Sequence, residues 1–234
     1  MLAIYRREIA AYFHTPIGYI FCAVFLALSG AVFSYTTLFS MKADVTSYFT
    51  YMLVLLVILV PLLTMKLFSE ERKQKTEQLL LTAPVSLYAM VAGKLLAAYT
   101  LYAACTLLSF SSFFILYLYA DVKTAVLFGN LVAILLLGLT FITIGLFVSA
   151  LTENQLAAAI GTVAILLVLM MISLLNSIIP VYWIRFVLSS ISVFARFQNF
   201  TQGVFDIAAL FYYLSISAAF YFLTVRVFDK RRWG

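Results

Sequence analysis

Few residues in this chain are of types that could do chemistry, and their spacing narrows them further. There is one histidine, His14, and there are two cysteines, Cys22 and Cys105. They form no cluster with zinc-ligand spacing. The cysteines sit singly inside apolar runs, in neither a CxxC nor a secreted disulfide pattern, and read as small packing residues. His14 has two readings, a pH-sensitive group or ligand and an interfacial polar residue, and the second is preferred. Gly93-Lys94 is the nearest approach to a phosphate-binding loop. It has no glycine five residues earlier and no Ser or Thr after the lysine. HExxH, GxSxG and a catalytic carboxylate pair are also missing. The expectation is a non-enzyme that binds no cofactor of its own and does not hydrolyse ATP by itself.

What remains is charge, and it concentrates in the stretch from Lys66 to Lys94. Ser69 is a candidate N-cap, with Glu70 and Glu71 in the first turn where the helix dipole favours acids. Glu71 and Lys75 are spaced as an i,i+4 pair, and Pro84 ends the element. The stretch therefore predicts a short helix, polar first and then leucine-rich at Leu79, Leu80 and Leu81. One reading is a solvated loop that only carries topogenic charge. The other is a docking element, favoured because topology needs Lys and Arg but not glutamates, and because the three leucines would lie uncovered.

The elements that hold this loop are membrane spans. Of 234 residues, 65% are hydrophobic and 10% charged, against about 25% charged in an ordinary soluble domain. Six uncharged runs are each long enough to cross a bilayer, which takes roughly 20 residues. They are continuous apolar runs, so helices rather than barrel strands. The predicted organisation is a single all-α transmembrane domain: an interfacial helix at 1–15, spans at 17–40, 45–67, 92–119, 125–151, 155–179 and 207–227, a cytoplasmic loop at 69–86 and an outer segment at 180–205. No cleavable signal peptide is expected, since the first apolar run starts late and is too long.

Net charge is +6 with a pI near 9.3. The basic residues sit at the ends of apolar runs, which points to membrane orientation rather than nucleic acid. With both termini in the cytoplasm, Arg6, Arg7, Lys66, Arg72, Lys73, Lys75, Lys94, Arg226, Lys230, Arg231 and Arg232 lie inside, eleven of the fifteen basic residues. Lys42, Lys123, Arg185 and Arg196 lie outside. On the first helix Leu2, Tyr5, Ile9, Tyr12 and Phe13 share one face and Arg7 and His14 the other, and Pro16 turns the chain into the bilayer. The spans carry mild polar residues such as Asn130, Thr140, Thr143 and Ser177, read mostly as helix-packing groups. Ala157 and Gly161 make a small-xxx-small pair on the fifth span. No ionisable group is counted inside a span, which argues against a proton-coupled or sodium-coupled carrier.

Several stretches together resemble the permease subunits of ABC-2-type ABC transporters, in particular the group with gliding-motility and nitrous-oxide-reductase-assembly permeases. They are Arg7-Glu8 with Tyr12-Phe13, Thr15-Pro16 and Gly18-Tyr19; Glu70-Glu71-Arg72 followed by Thr76-Glu77-Gln78-Leu79-Leu80 and Ala83-Pro84-Val85-Ser86; Gly93-Lys94; Ser149 to Gln155; and Phe200 to Asp206. The resemblance covers nearly the whole chain, and Lys75 departs from it where the pattern has glycine.

The resemblance implies that residues 1–15 form a connecting helix and that Glu70, Glu71, Arg72, Thr76, Glu77, Leu79, Leu80 and Pro84 touch a separate ATP-binding subunit. Glu153 would make a second contact. ATP and magnesium would belong to that partner. Residues 180–205 would form re-entrant helices at the outer surface, with Tyr182, Trp183, Phe194 and Phe197 near headgroups. A second permease copy would complete a pathway lined by spans two and five, with Tyr51, Thr64, Thr162, Ser173 and Asn176 as lining candidates. The expected setting is a bacterial inner membrane and the expected role an exporter. Two alternatives stand beside it: a scaffold that uses an ATPase to do mechanical work on an envelope partner, and a stand-alone channel or secondary carrier.

Overall fold

The computed structural model describes residues 1–41, 44–78, 85–119, 124–178, 183, 192–201 and 206–233. Among them there are helices and no strands. Helix α1 (Leu2–His14) ends at Thr15, whose backbone is extended, and α2 (Pro16–Phe33) starts on the proline. Pro16 at the first helical position costs nothing there, because that amide has no intrahelical partner. The last turn of this span, Ser34–Phe39, is π-helical. Then come α3 (Val45–Thr64), the five-residue α4 (Ser69–Lys73), α5 (Leu87–Phe110), α6 (Phe113–Tyr119), α7 (Thr124–Leu151), α8 (Gln155–Ile178), α9 (Val193–Thr201) and α10 (Ile207–Trp233).

Six of these segments are long and apolar enough to cross a membrane. Helix α7 is the axis of the bundle and packs against α10, α3, α8, α5 and α9. Its apolar residues carry almost no amphipathic asymmetry because neighbours surround it: Leu137, Phe141, Ile142, Ile144 and Leu146 are all buried. Glycine lets the closest neighbours in. A Cβ on Gly145 would lie 2.2 Å from Thr64 Oγ1, and one on Gly138 would lie 2.1 Å from the Tyr102 ring.

The mild polar residues do act in packing. Thr140 Oγ1 bonds its own helix at Leu136 O (3.1 Å) and reaches Tyr213 O on α10 (3.3 Å), where Ser217 Oγ also meets it. Tyr48 on α3 bonds Ser109 on α5 at 2.6 Å, and Ser29 on α2 touches both. On α8, Gly161 packs against Val148 of α7. Ala157 is exposed, so the helix turns Ala158 and Gly161 inward in place of the expected 157/161 pair.

In the stretch after α8, Phe194 and Phe197 are buried within the bundle, and Phe194 stands 5.7 Å from Phe141 of α7. Helix α9 packs against α7 and α8. Arg196 stacks on Tyr212 at 4.3 Å, and Trp183 is exposed. Tyr182 and Arg185 lie outside the described residues.

Candidate functional site

One end of the bundle gathers α1, the loop after α3, the start of α5, the α7–α8 turn and the end of α10. The loop is built from the end of α3 outward. Helix α4 does not begin with Ser69 as its cap. Phe68 holds the cap position, and Ser69 is the first helical residue, its Oγ turned back onto Met65 O. The two amides left over at this start, those of Phe68 and Ser69, donate to Ser149 Oγ on α7 at 3.1 and 3.2 Å. Ser149 in turn reaches Met65 O at 3.2 Å. A single hydroxyl thus supplies the partners that a helix start lacks.

Glu71 does not pair with Lys75. It faces inward, where its Oε1 is 2.9 Å from Lys94 Nζ and 2.9 Å from Arg7 Nη2. Glu8 Oε1 meets the same two cations, at 3.0 Å from Lys94 and 2.7 Å from Arg7. Four charges therefore close a ring of alternating sign: Lys94, Glu8, Arg7, Glu71. The Lys94 side chain is only 2% exposed and its ammonium lies 5.1 Å from the Phe68 ring centre. Lys94 is thus a buried cation in the first turns of α5, the third span, and not simply a topogenic charge at its mouth. A buried ammonium persists only when paired. Gly93 beside it lets α1 come close, since a Cβ there would stand 3.0 Å from Ile4 Cγ2. The hydrogen bond to Glu8, together with the charges of Glu8 and Glu71, raises the Arg7 pKa above its ordinary value despite partial burial. Burial, with Glu8 nearby, also raises that of Tyr12, whose hydroxyl donates to Leu63 O at 3.2 Å.

Arg72 and Glu77 anchor the loop on its other side. Arg72 bonds Leu151 O at 2.9 Å and pairs with Glu153 at 2.9 Å. Arg231 of α10 bonds Ala150 O at 2.6 Å and Glu77 Oε1 at 2.9 Å. Two guanidinium groups therefore cap the last carbonyls of α7, where cations are favoured. Phe228 packs on Phe68 at 4.5 Å, which joins this cluster to the ring. Glu70 stays near Lys66 at 3.9 Å, and Thr76 bonds Glu71 O at 3.2 Å. The exposed rim of the loop is Lys73, Gln74 and Lys75, with Gln78 and Glu153 also exposed. Leu79, Leu80 and Pro84 lie outside the described residues.

Lys75 has φ of 57°, in the left-handed region. That accounts for the glycine the resembling pattern has there.

The pathway candidates are spread out. Thr64 and Thr162 are buried and bond back to Val60 O (3.1 Å) and Ala158 O (2.7 Å) of their own helices. Tyr51 is half exposed on α3. It lines an open cavity of about 390 Å³ with Tyr35, Thr36, Phe39, Ser40, Asp44 and Ser47. Ser173 and Asn176 are partly buried near the end of α8, and Asn176 Oδ1 is buried without a hydrogen-bond partner.

Sequence reasoning took Glu71, Arg72 and Glu77 from the loop but missed Arg7, Lys94 and Arg231 as partners, Glu8 as the second acid of the ring and Ser149 as the acceptor for the Phe68 and Ser69 amides. Arg7-Glu8 and Gly93-Lys94 were visible as motif pieces. Their meeting with Glu71 depends on three helices converging, which no local spacing records.

A search of curated proteins returns none that matches the chain. A family model, that of the ABC-2 family transporter proteins, matches residues 8–233, from the ring glutamate Glu8 to the last residue of α10. With six spanning helices and that match over nearly its whole length, the chain belongs to the ABC-2 transporter family.

Proposed function

We propose that the chain is the permease subunit of an ATP-driven exporter. Two permease copies form the pathway, and a separate ATP-binding subunit, which carries the ATP and magnesium, docks on the loop after α3. In this reading the loop, α1 and the end of α10 face the cytoplasm, the membrane is a bacterial inner membrane, and residues 180–205 lie at the outer surface.

The observation that carries the reading is the build of the loop. Its inward side chains are tied to α1, α5, α7 and α10, while Lys73, Gln74 and Lys75 stand exposed at its rim. A rim that only solvated charge would not need four helices behind it. A loop that receives force from a partner does, because only anchored side chains pass displacement on to the spans. Glu71, Arg72 and Glu77 then serve as anchors behind the contact surface, and Lys73, Lys75 and Glu153 meet the partner.

The test is co-expression with a candidate ABC ATP-binding subunit from the same genome, then purification in nanodiscs. A stable complex is expected, with an ATPase rate that depends on the permease. Lys73→Glu with Lys75→Glu is expected to lower the association by about 2 kcal/mol, the scale of charged contacts at an interface. No complex with the intact chain, or a complex indifferent to both changes, would overturn the reading.

A further inference from the structure

We propose that Lys94 is a positioning residue that yokes the interfacial helix α1 to the loop helix α4, so that the two move as one body when the loop is displaced. Its functional meaning rests on the exporter reading; its geometry does not.

Three observations carry it. First, the ring is closed and alternating: each carboxylate, Glu8 and Glu71, meets both cations, Lys94 and Arg7, within 2.7–3.0 Å. A displacement of Glu71 therefore stretches contacts to α1 and α5 together. Second, Lys94 is the buried member, while Arg7 is half exposed. Charge pairs out of water are weakly screened and hold geometry better than exposed ones. Third, the ring is not built for stability alone. Glu71 Oε2 is buried with no hydrogen-bond partner, and an apolar contact of similar volume would avoid that cost. What an apolar contact would not supply is direction. Ion pairs at fixed atoms transmit a pull as well as a push, and α4 has five residues and so little packing of its own.

Around the ring, Gly93 admits Ile4, and Tyr12 bonds the end of α3. Helix α1 therefore meets α5 by packing and the end of α3 through a hydrogen bond, but it reaches α4 through Glu71. The described polar contact between α1 and α4 is the pair Arg7–Glu71, and Lys94 fixes both members through Glu8 and Glu71.

The experiment compares amide exchange in full-length wild type, Lys94→Met and Arg7→Gln, first without and then with the ATPase subunit. Without it, Lys94→Met should speed exchange in residues 2–14 and 69–73 together by at least about tenfold, while α7 is unchanged. Arg7→Gln, at the exposed corner and milder for folding, should raise both in the same sense by less. With the ATPase subunit bound, wild type should show an ATP-dependent change in α1 exchange that Lys94→Met abolishes, although the exposed rim is intact and the subunit stays bound. The yoke is overturned if α4 loosens while α1 does not, or if α1 keeps its ATP response in Lys94→Met. If Lys94→Met does not fold, Arg7→Gln decides on the same two segments. If the wild type binds no ATPase subunit, the exporter reading falls, and the first arm still decides whether α1 and α4 are joined.

Discussion

Lys75 holds a left-handed backbone with a full side chain, and this is a cost that can be removed. A non-glycine residue in that region gives up about 1 kcal/mol or somewhat more. Lys75→Gly removes the clash, and part of the gain is returned as unfolded-chain entropy. The expected outcome is a rise of a few degrees in the thermal unfolding midpoint in detergent, with no change in secondary structure by circular dichroism. Ser149 gives the opposite case. Its hydroxyl accepts from two buried amides and donates to Met65 O. Ser149→Ala strands those amides, at about 1–3 kcal/mol. The midpoint should fall by several degrees, and exchange should rise at Phe68 and Ser69 before it rises in α3. At this scale the sequence is only half legible. Glu71 and Arg72 announce themselves as charges, but a serine in an apolar run carries no mark of being a cap for another helix.

At the scale of elements, the connection that matters is the end of α7 held by α4 and α10. Arg231 spans Glu77 and Ala150 O, and its side chain is about a quarter exposed. Arg231→Met keeps the stem but loses both bonds. A cost of about 1.5–3 kcal/mol is expected, seen as a lower unfolding midpoint and as faster proteolysis after Lys73 or Lys75. Loss confined to α10, with the loop as resistant as before, would show that Glu77 is not held by it. The α3–α7 contact is tested by Gly145→Ala, whose new Cβ would meet Thr64 Oγ1 at 2.2 Å. Overpacking of this kind costs about 1–3 kcal/mol, and Thr64→Ala on the same chain should return part of it. The six spans were legible because apolar runs of that length have one physical solution in a bilayer. The packing of α9 against α7 was not. Phe194 and Phe197 look like interfacial aromatics along the chain, and only the closeness of α7 turns them inward.

At the scale of the molecule, the basic residues collect at the end that carries α1, the loop and the end of α10, and so do acids: Glu8, Glu70, Glu71, Glu77, Glu153 and Asp229. Net charge at that end is therefore well below its count of Lys and Arg. The two quantities make different forecasts of orientation. If net charge decided insertion, the paired lysines and arginines of the loop would contribute little, and the preference would be weak. The insertion machinery reads Lys and Arg close to the span ends and gives Asp and Glu little weight, since pairing forms only after the helices have packed. Orientation should then be strong, with the ring end in the cytoplasm. A fluorescent protein that folds only in the cytoplasm, fused after Gly234, should be bright. A phosphatase that works only outside, inserted between α6 and α7, should be active. Replacing Glu8, Glu71 and Glu77 by glutamine should leave both signals unchanged while it weakens the folded bundle. Reporters that shift with those three glutamates would mean that net charge, not the count of cations, places this chain in its membrane, and reversed reporters would overturn the orientation on either count.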